Sequence, residues 1–475
     1  MSEVNIDWAG VLGDWQQRIP GGGDWRQNLK ELDAAVRVHP KRAFRISPRC
    51  PGLEKLERLS STRVAWYPEY GRLLEDSSIR PGGFLNHAAG DYYVQDAGSM
   101  LALRLCNARP GWRVLDCCAS PGGKSTGLLE QLGGSGLLVA NEVIRGRVAL
   151  LQMALERAGY GNSLTTSFDL DAMPACFHGQ FDCVLVDAPC SGQSMVVKGK
   201  QSVAAFSIQH MDLNAARQRR LIRAAAKVVA PGGRLVYSTC TFATCENESI
   251  ISDFLKENPG WTTVRDEGLT DWEDPENPGC YRIWPHTDDS SGAFAAALVC
   301  PELQVKPEAV RRSKHSVWSR LDPRKLNLDI EGLYPEDATR PRMLCERGFK
   351  NKERAGNDGK SSQVHVFPVV EDDWLQSGLA GTFIAEVKPR YTDPQYGLSR
   401  LQQSPKSSAD AELQLSSEQA QAFVEGQSLR HESTSTGWQI AWWQQRPLGW
   451  GKIGNGAVKN HFPKPLRQSA TMIDF

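Results

Sequence analysis

From Arg113 to Ser238 the sequence alternates short apolar runs with longer amphipathic ones, and this alternation constrains the fold more than any other feature. Arg113-Val114-Leu115-Asp116 reads as a strand, Gly122 to Leu132 as a helix, and Leu137 to Ala140 as a second strand ending at Asn141-Glu142. Arg147 to Ala158 places Val148, Leu151, Leu155 and Ala158 on one helical face. Leu164 to Ser167 is a third strand, ahead of Asp169. Phe181 to Val186 is a fourth, and its nearly continuous apolar run is the pattern of a strand buried on both faces. A long helix from Met211 to Val229 ends at Pro231-Gly232-Gly233, ahead of a fifth strand from Arg234 to Ser238. Ala293 to Val299 reads as a late strand returning to the sheet edge. Strands and helices alternating at this spacing imply a doubly wound, Rossmann-like parallel α/β sheet within residues 95–302.

At 475 residues the chain exceeds what one core accommodates, so further domains are expected on both sides. Residues 1–94 read as an N-terminal α/β extension, 303–372 as a linker or accessory segment, and 373–475 as a small β-rich domain. In the last, Phe383 to Val387 and Gly437 to Trp443 look like strands. Lys350 to Ser362 and Arg400 to Glu412 are polar and poor in large apolar groups, as linkers and long loops are. The formal net charge is zero, which argues against a wholly basic nucleic-acid coat but not against local patches. One basic run holds Arg37, Lys41, Arg42, Arg45, Arg49, Lys55 and Arg58; a second holds Arg311, Arg312, Lys314, Arg320, Arg324 and Lys325. A third carries Arg446, Lys452, Lys459, Lys464 and Arg467 among Trp450, His461 and Phe462. Each run alone reads as readily as solvated surface; three together point to a polyanionic partner. The twelve cysteines include no CxxC pair, so no metal site from local ligands is expected. With no secretory signal, the thiols are expected to be reduced in a cytoplasm, and no apolar run is long enough to span a membrane.

The loop after the first strand, Asp116-Cys117-Cys118-Ala119-Ser120-Pro121-Gly122-Gly123-Lys124, opens a helix and suits a nucleotide-like ligand. A triphosphate loop needs GxxxxGK[ST], but Cys118 stands where its first glycine belongs, and the dinucleotide pattern GxGxxG is absent. S-adenosylmethionine carries no phosphate and needs close backbone approach, which Pro121-Gly122-Gly123 permits because glycine lacks Cβ. Glu142, about 20 residues after the glycines, is placed to accept from both ribose hydroxyls. Asp169, after the third strand, is placed to reach an adenine amino group; either acid alone would pass for a cap or turn former. Cys190 and Cys240 end the fourth and fifth strands and so face the same crevice. Cys118 and Cys183, on or beside apolar strands, read as core thiols.

CASPGGK at 118–124, DAPCSG at 187–192 and STCT at 238–241 resemble the NOL/NOP/Sun family of RNA cytosine-C5 methyltransferases. Gln95 to Met100 is similar to the segment leading into that family's catalytic domain, and Arg282 to His286 with Ser291 to Ala296 to its end. Pro447 to Lys452, Lys459-Asn460 and Pro463 to Arg467 resemble the PUA-like RNA-binding tail of its bacterial ribosomal-RNA type. The resemblance covers about Arg45 to Arg467, with gaps around 303–372. It implies a class I methyltransferase sheet, a PUA-like C-terminal domain, S-adenosylmethionine as cofactor and RNA as partner, small-subunit (16S) rRNA first and tRNA as the alternative. A non-catalytic ribosome assembly factor that keeps the fold is the reading from another class; the intact Cys190, Cys240, Asp187 and Glu142 argue against it. A monomer, without metal or membrane, completes the expectation.

By resemblance Cys118, Ala119, Ser120, Pro121, Gly122, Gly123, Lys124, Glu142, Asp169 and Asp187 would contact the cofactor, Cys240 would be the nucleophile and Cys190 would assist product release. The chemistry gives both thiols work. Cytosine C5 is a poor nucleophile until a thiolate adds at C6, and the C5 proton must later leave before sulfur is expelled. Asp187 would serve as a donor to N3 if burial raises its pKa, and Lys124, Lys198 or Lys200 would favour the thiolate. DNA cytosine-C5 methyltransferases instead use the cysteine of a Pro-Cys motif, so the opposite assignment, Cys190 first, stays open. The family usually follows DAPCSG with a glycine and an Arg-Lys pair; here the run is Gln193-Ser194-Met195-Val196-Val197-Lys198-Gly199-Lys200, without the arginine. Trp66, Tyr67, Tyr70, Tyr92 and Tyr93, near the first basic run, would either stack on RNA or belong to a domain core.

Overall fold

The computed structural model describes residues 5–50, 61–302, 318–326, 328, 342–348, 361–377, 379–388, 391–402, 412–431 and 435–467. Two helices, Trp8–Leu12 and Trp25–Ala35, precede an antiparallel sheet of β1 (Ala43–Ile46), β2 (Ser61–Arg63), β3 (Gly71–Leu74) and β4 (Tyr92–Val94), in the order β2-β3-β1-β4. The central sheet follows, with β5 (Arg113–Asp116), β6 (Leu137–Asn141), β7 (Ser163–Thr166), β8 (Phe181–Asp187) and β9 (Val229–Thr239), then β10 (Thr262–Thr263), β11 (Cys280–Ile283) and β12 (Ala293–Val299). Its order is β10-β12-β9-β8-β5-β6-β7, with β11 on β12. β5 to β9 are mutually parallel and β12 is antiparallel to β9. The apolar pattern of β8 has its expected cause: Cys183 to Val186 are fully buried between helical layers. The chain winds outward from β5 through β6 to β7, then returns to the other side of β5 at β8. This is a topological switch point, and the crevice it creates lies at the carboxyl ends of β5 and β8.

Three expectations about elements change. The long helix runs Ile208–Ala226, three residues short of the expected end, and Pro231-Gly232-Gly233 lies inside β9. A register shift in the β8–β9 pairing and a left-handed Gly232 (φ 71°) absorb that segment, so these residues bend a strand instead of stopping a helix. The late strand β12 is not an edge, because β10 and β11 pair with it beyond β9. In the stretch 303–372, β13 (Ser319–Arg320), β14 (Arg342–Gly348) and β15 (Ser362–Pro368) join β16 (Thr382–Val387) and β17 (Thr392–Pro394) in one antiparallel sheet. Its described part is thus an accessory sheet rather than a linker, and the β15–β16 pairing crosses the expected boundary at 372/373. Ala380 pairs with Thr165 on the outer edge of β7, and Trp374 packs edge-on against Phe177 at 4.6 Å. These contacts cover what would otherwise be an open edge strand. The tail sheet has the order β18-β20-β21-β22-β19, from β18 (Leu413–Gln414), β19 (Leu429–Arg430), β20 (Gly437–Trp443), β21 (Arg446–Gly454) and β22 (Ala457–Asn460). It is the curled, PUA-like β domain expected. Among the described residues no helix is long and apolar enough to cross a membrane.

The first basic run is partly structural. Arg45 is fully buried and binds Glu130 at 2.5 Å, while Arg37 pairs with Asp33 at 3.0 Å. Trp66, Tyr67 and Tyr92 are buried, the first two in a core shared with Leu101, Leu128 and Leu185, which settles them as packing residues. Tyr93 instead lines the crevice. Lys55, Arg58, Arg311, Arg312 and Lys314 lie outside the described residues, as do 350–360 and 403–411 of the two polar segments.

Candidate active site

The crevice holds a cavity of about 340 Å³. That falls within the range of roughly 300–1,000 Å³ typical of small-molecule sites. Its floor is the end of β5 and the loop that follows, with Asp116, Cys118, Ala119, Ser120, Pro121, Gly123 and Lys124 on the wall. The loop can turn this tightly because Gly122 adopts φ 111°, and a Cβ there would stand 2.7 Å from that of Ala154. A Cβ on Gly123 would meet the Tyr93 ring at 3.2 Å, so the glycines keep the backbone open to a ligand. The facing wall comes from β8 and β9: Asp187, Ala188, Ser238, Thr239 and Cys240.

The β8–β9 register sets Asp187 beside Ser238, whose hydroxyl donates to Asp187 Oδ1 at 2.9 Å. Lys124 Nζ reaches across from the loop to Asp187 Oδ2 at 2.7 Å. Burial opposes the Lys124 charge, but Asp187 outweighs it and holds the ammonium above its usual range. Both Asp187 oxygens therefore accept hydrogen bonds here. Asp116 is buried, accepts from the Ser125 hydroxyl at 2.6 Å, and is pushed up to about 7, chiefly by burial.

Cys240 lines the cavity; Cys190 does not, but its Sγ lies 3.3 Å from Cys240 Sγ. The two sulfurs are not equivalent. Hydrogen bonding to Cys190 lowers the Cys240 pKa against the effect of burial, and the Lys124 charge adds to the lowering. Cys190 is raised by its bond to Cys240 and by burial, with the Glu246 carboxylate acting in the same direction. Either sulfur can donate to the other, and Cys190 Sγ also accepts from the Cys240 N–H at 3.4 Å; the shifts favour the thiolate at Cys240. Cys183 is buried in the core as expected, whereas Cys118 borders the cavity with its thiol raised by burial.

Two cofactor candidates stand apart from the cavity wall. Glu142 is buried at the end of β6, accepts from the Ile144 N–H at 2.9 Å and pairs with Arg147 at 3.3 Å. Asp169 caps a short turn and pairs with Arg220 at 3.3 Å. Other residues join the site that the sequence did not single out. Asp96 Oδ2 accepts from Lys198 Nζ at 2.7 Å and from Ser291 Oγ at 2.6 Å, closing one side of the cavity from three distant segments. Glu246 and Asn247 hold the two cysteine loops from behind. No spacing rule flags Asp96 or Glu246, since each acts on partners far away in sequence.

A family model described as 16S rRNA methyltransferase RsmB/F matches residues 103–299, and one described as methyltransferase RsmF PUA domain matches 411–468. The chain is 28% identical over 417 residues to a protein named ribosomal RNA small subunit methyltransferase F from Aeromonas salmonicida, covering 82% of each. It is 30% identical over 329 residues to a protein of the same name from Shewanella oneidensis, covering 65% of this chain and 68% of that one. Among solved structures, NSun6 from Pyrococcus horikoshii shares the fold, with a TM-score of 0.52 at 18% identity over 61% of this chain and 97% of that chain. The central sheet and the tail each match a model of the same enzymes, and the Shewanella relative reaches 30% identity over two thirds of its length: the chain belongs to the RsmB/F family of 16S rRNA methyltransferases.

Proposed function

We propose that this protein uses S-adenosylmethionine to methylate cytosine C5 in RNA, small-subunit rRNA in particular, through a covalent bond between Cys240 and cytosine C6. The observation that carries the reading is the unequal thiol pair, with Cys240 on the cavity wall beside Lys124 and Cys190 3.3 Å behind it. The glycine loop fits the cofactor's need for bare backbone, and Cys118 to Lys124 with Asp187 would hold it. Glu142 and Asp169 would join once Arg147 and Arg220 yield them. When bound, S-adenosylmethionine supplies the electrophilic methyl group.

In this reading the Cys240 thiolate adds to C6, and negative charge develops toward N3 and O2. The Lys124–Asp187 pair meets that edge, with Lys124 as the proton-rich partner and Asp187 as the group that orients it. Addition of sulfur makes C5 nucleophilic, which divides one difficult step into two easier ones. The C5 proton must then leave before the C6–S bond breaks. Cys190 is the group nearest Cys240 for that step, and being held as a thiol it must first give up its own proton. The target base has to leave its stack to reach Cys240, which unpaired rRNA makes cheaper.

The test is incubation with labelled methyl donor and transcripts of small-subunit rRNA and of tRNA, followed by mapping of the methylated base. Label at C5 of an rRNA cytosine is expected. Transfer to tRNA alone would reassign the substrate, and tight RNA binding without transfer to either would remove the enzyme reading.

A further inference from the structure

Behind the two sulfurs lies a buried polar network that the chemistry above does not use. Its centre is Gln193, the residue at which the chain begins to depart from the family pattern after DAPCSG. Gln193 is 1% exposed, although its side chain ends in an amide with two donors and an acceptor. Its Oε1 accepts from the Thr241 hydroxyl and from the Phe242 N–H, both at 2.8 Å. Because Thr241 gives its proton to Gln193, its oxygen is left to accept from Ser191 Oγ at 2.7 Å. Gln193 Nε2 donates to the Ala205 carbonyl at 3.2 Å, which fixes the other end of the amide.

Ser191 follows Cys190 and Thr241 follows Cys240, so the chain Ser191–Thr241–Gln193 joins the two loops one residue beyond each sulfur. A second layer supports it. Glu246 Oε2 accepts from the Ser191 N–H at 2.9 Å and from Gln218 Nε2 at 2.8 Å, and Gln218 also donates to the Pro189 carbonyl at 3.0 Å. Asn247 accepts from the Thr239 hydroxyl at 2.6 Å and donates to the Thr241 carbonyl at 3.0 Å. Both cysteines are therefore bracketed on each side by bonds into one buried cluster.

We propose that Gln193 is a positioning residue for the thiol pair: by tying the Thr241 and Phe242 loop to the Ser191 loop it sets the separation of the Cys190 and Cys240 sulfurs. The geometry explains why a glutamine is buried here: its oxygen accepts from the Thr241 loop while its nitrogen donates to the Ala205 carbonyl. A hydrogen bond between sulfurs falls away steeply with distance, so a small slip of either loop removes the Cys190 S–H from Cys240. That would leave Cys240 less ionised and Cys190 too distant to assist release.

This proposal rests on the two-thiol reading above, and a readout independent of RNA separates the two. The pH dependence of iodoacetamide labelling of Cys240, followed by mass spectrometry on the full chain, reports the thiol pair directly. In Gln193→Ala the labelling midpoint should move to higher pH. Turnover should fall about 10- to 100-fold with the KM for RNA little changed, and the melting temperature should drop, because the Thr241 hydroxyl and the Phe242 N–H lose a buried partner. Gln193→Glu keeps the accepting oxygens but loses the Nε2–H donated to the Ala205 carbonyl and brings a carboxylate toward the thiols, so it should leave the labelling midpoint raised. Thr241→Val, which keeps the size and removes the hydroxyl, should shift the midpoint in the same direction and serves if Gln193→Ala misfolds. Unchanged labelling profiles in Gln193→Ala and Thr241→Val would overturn the proposal. A shifted profile in these variants, with no RNA adduct in Cys190→Ala, would support it and overturn the two-thiol mechanism instead.

Discussion

Cys190 and Cys240 are separated by 50 residues in sequence and by 3.3 Å in space, and what distinguishes them is their neighbours. The Lys124 charge and the contact with Cys190 lower the Cys240 pKa; the same contact, burial and Glu246 raise that of Cys190. The strand-end positions of both thiols were legible in sequence, because apolar runs ending in Asp187-Ala188-Pro189 and Ser238-Thr239 mark where strands stop. Their order rested on resemblance, and the part of Glu246 was not legible, because it comes from another element. Two outcomes follow at this scale. Cys240→Ala should abolish methyl transfer, whereas Cys190→Ala should accumulate a protein–RNA adduct that persists in denaturant, seen as a slowed band on a denaturing gel. If Cys190→Ala turns over while forming no adduct, the release role is lost. The pH dependence has a defined sign. The Cys240 pKa is lowered, so alkylation of Cys240 should set in below the usual thiol range, and Lys124→Met should move it upward. The Cys190 pKa is raised, so release, which needs its thiolate, should quicken with rising pH, and the adduct should build up on the acid side.

The elements carry the site through a few buried fastenings that composition misrepresents. Arg45 on β1 belongs to a run that reads as an RNA-binding surface, yet it donates to Glu130 at 2.5 Å and to the Gly123 carbonyl and Thr126 Oγ1, both at 2.8 Å. It thereby locks the N-terminal sheet onto the helix Gly123–Leu132 that opens from the cofactor loop. The pattern of the chain cannot show this, since a charge is called exposed until its partner is known. Breaking a buried pair from one side leaves the other charge stranded, at a cost of about 3–5 kcal/mol. Arg45→Met should therefore lower the melting temperature and weaken binding of S-adenosylmethionine by calorimetry, with little change in the salt dependence of RNA binding; a mainly salt-dependent defect would restore the surface reading. The strand and helix order of the central sheet was legible because its period is regular. The accessory sheet from β13 to β17 was not, since its strands are split by polar stretches and pair only over long separations. Pro231-Gly232-Gly233 misled for a related reason: the same residues stop a helix or bend a strand, and only the pairing with β8 decides.

For the whole molecule, a formal charge of zero has to be reconciled with a polyanionic substrate. Among the described residues the answer is segregation. Much of the basic content is spent on internal partners: Arg446 binds Asp91 at 2.6 Å and joins the tail to the N-terminal sheet, and Arg400 donates to the carbonyls of Ala89, Arg157 and Pro447 across the same junction. The tail is thus held against the catalytic body by bonds from its own arginines, and the lysines of that run face outward. Lys452 and Lys459 are cross-strand neighbours on β21 and β22 and both exposed, Lys464 is exposed beyond them, and the Lys452 ammonium lies 5.0 Å from the Trp438 ring centre. A ring flanked by paired cations is suited to a phosphate backbone and an unstacked base. Because each neutralised phosphate releases counterions, charge of this kind is read in the salt dependence of binding, at a slope of roughly 0.7 to 0.9 per contact. Replacing Lys452, Lys459 and Lys464 by alanine should lower the slope of log affinity against log salt by about 2. It should raise the KM for RNA and leave the pH profile of Cys240 alkylation unmoved, because these lysines lie outside the residues that line the cavity. A full loss of three contacts with kcat reduced instead would mean that the tail orders the catalytic loop rather than capturing RNA; an unchanged slope would place the RNA on a different face of the protein.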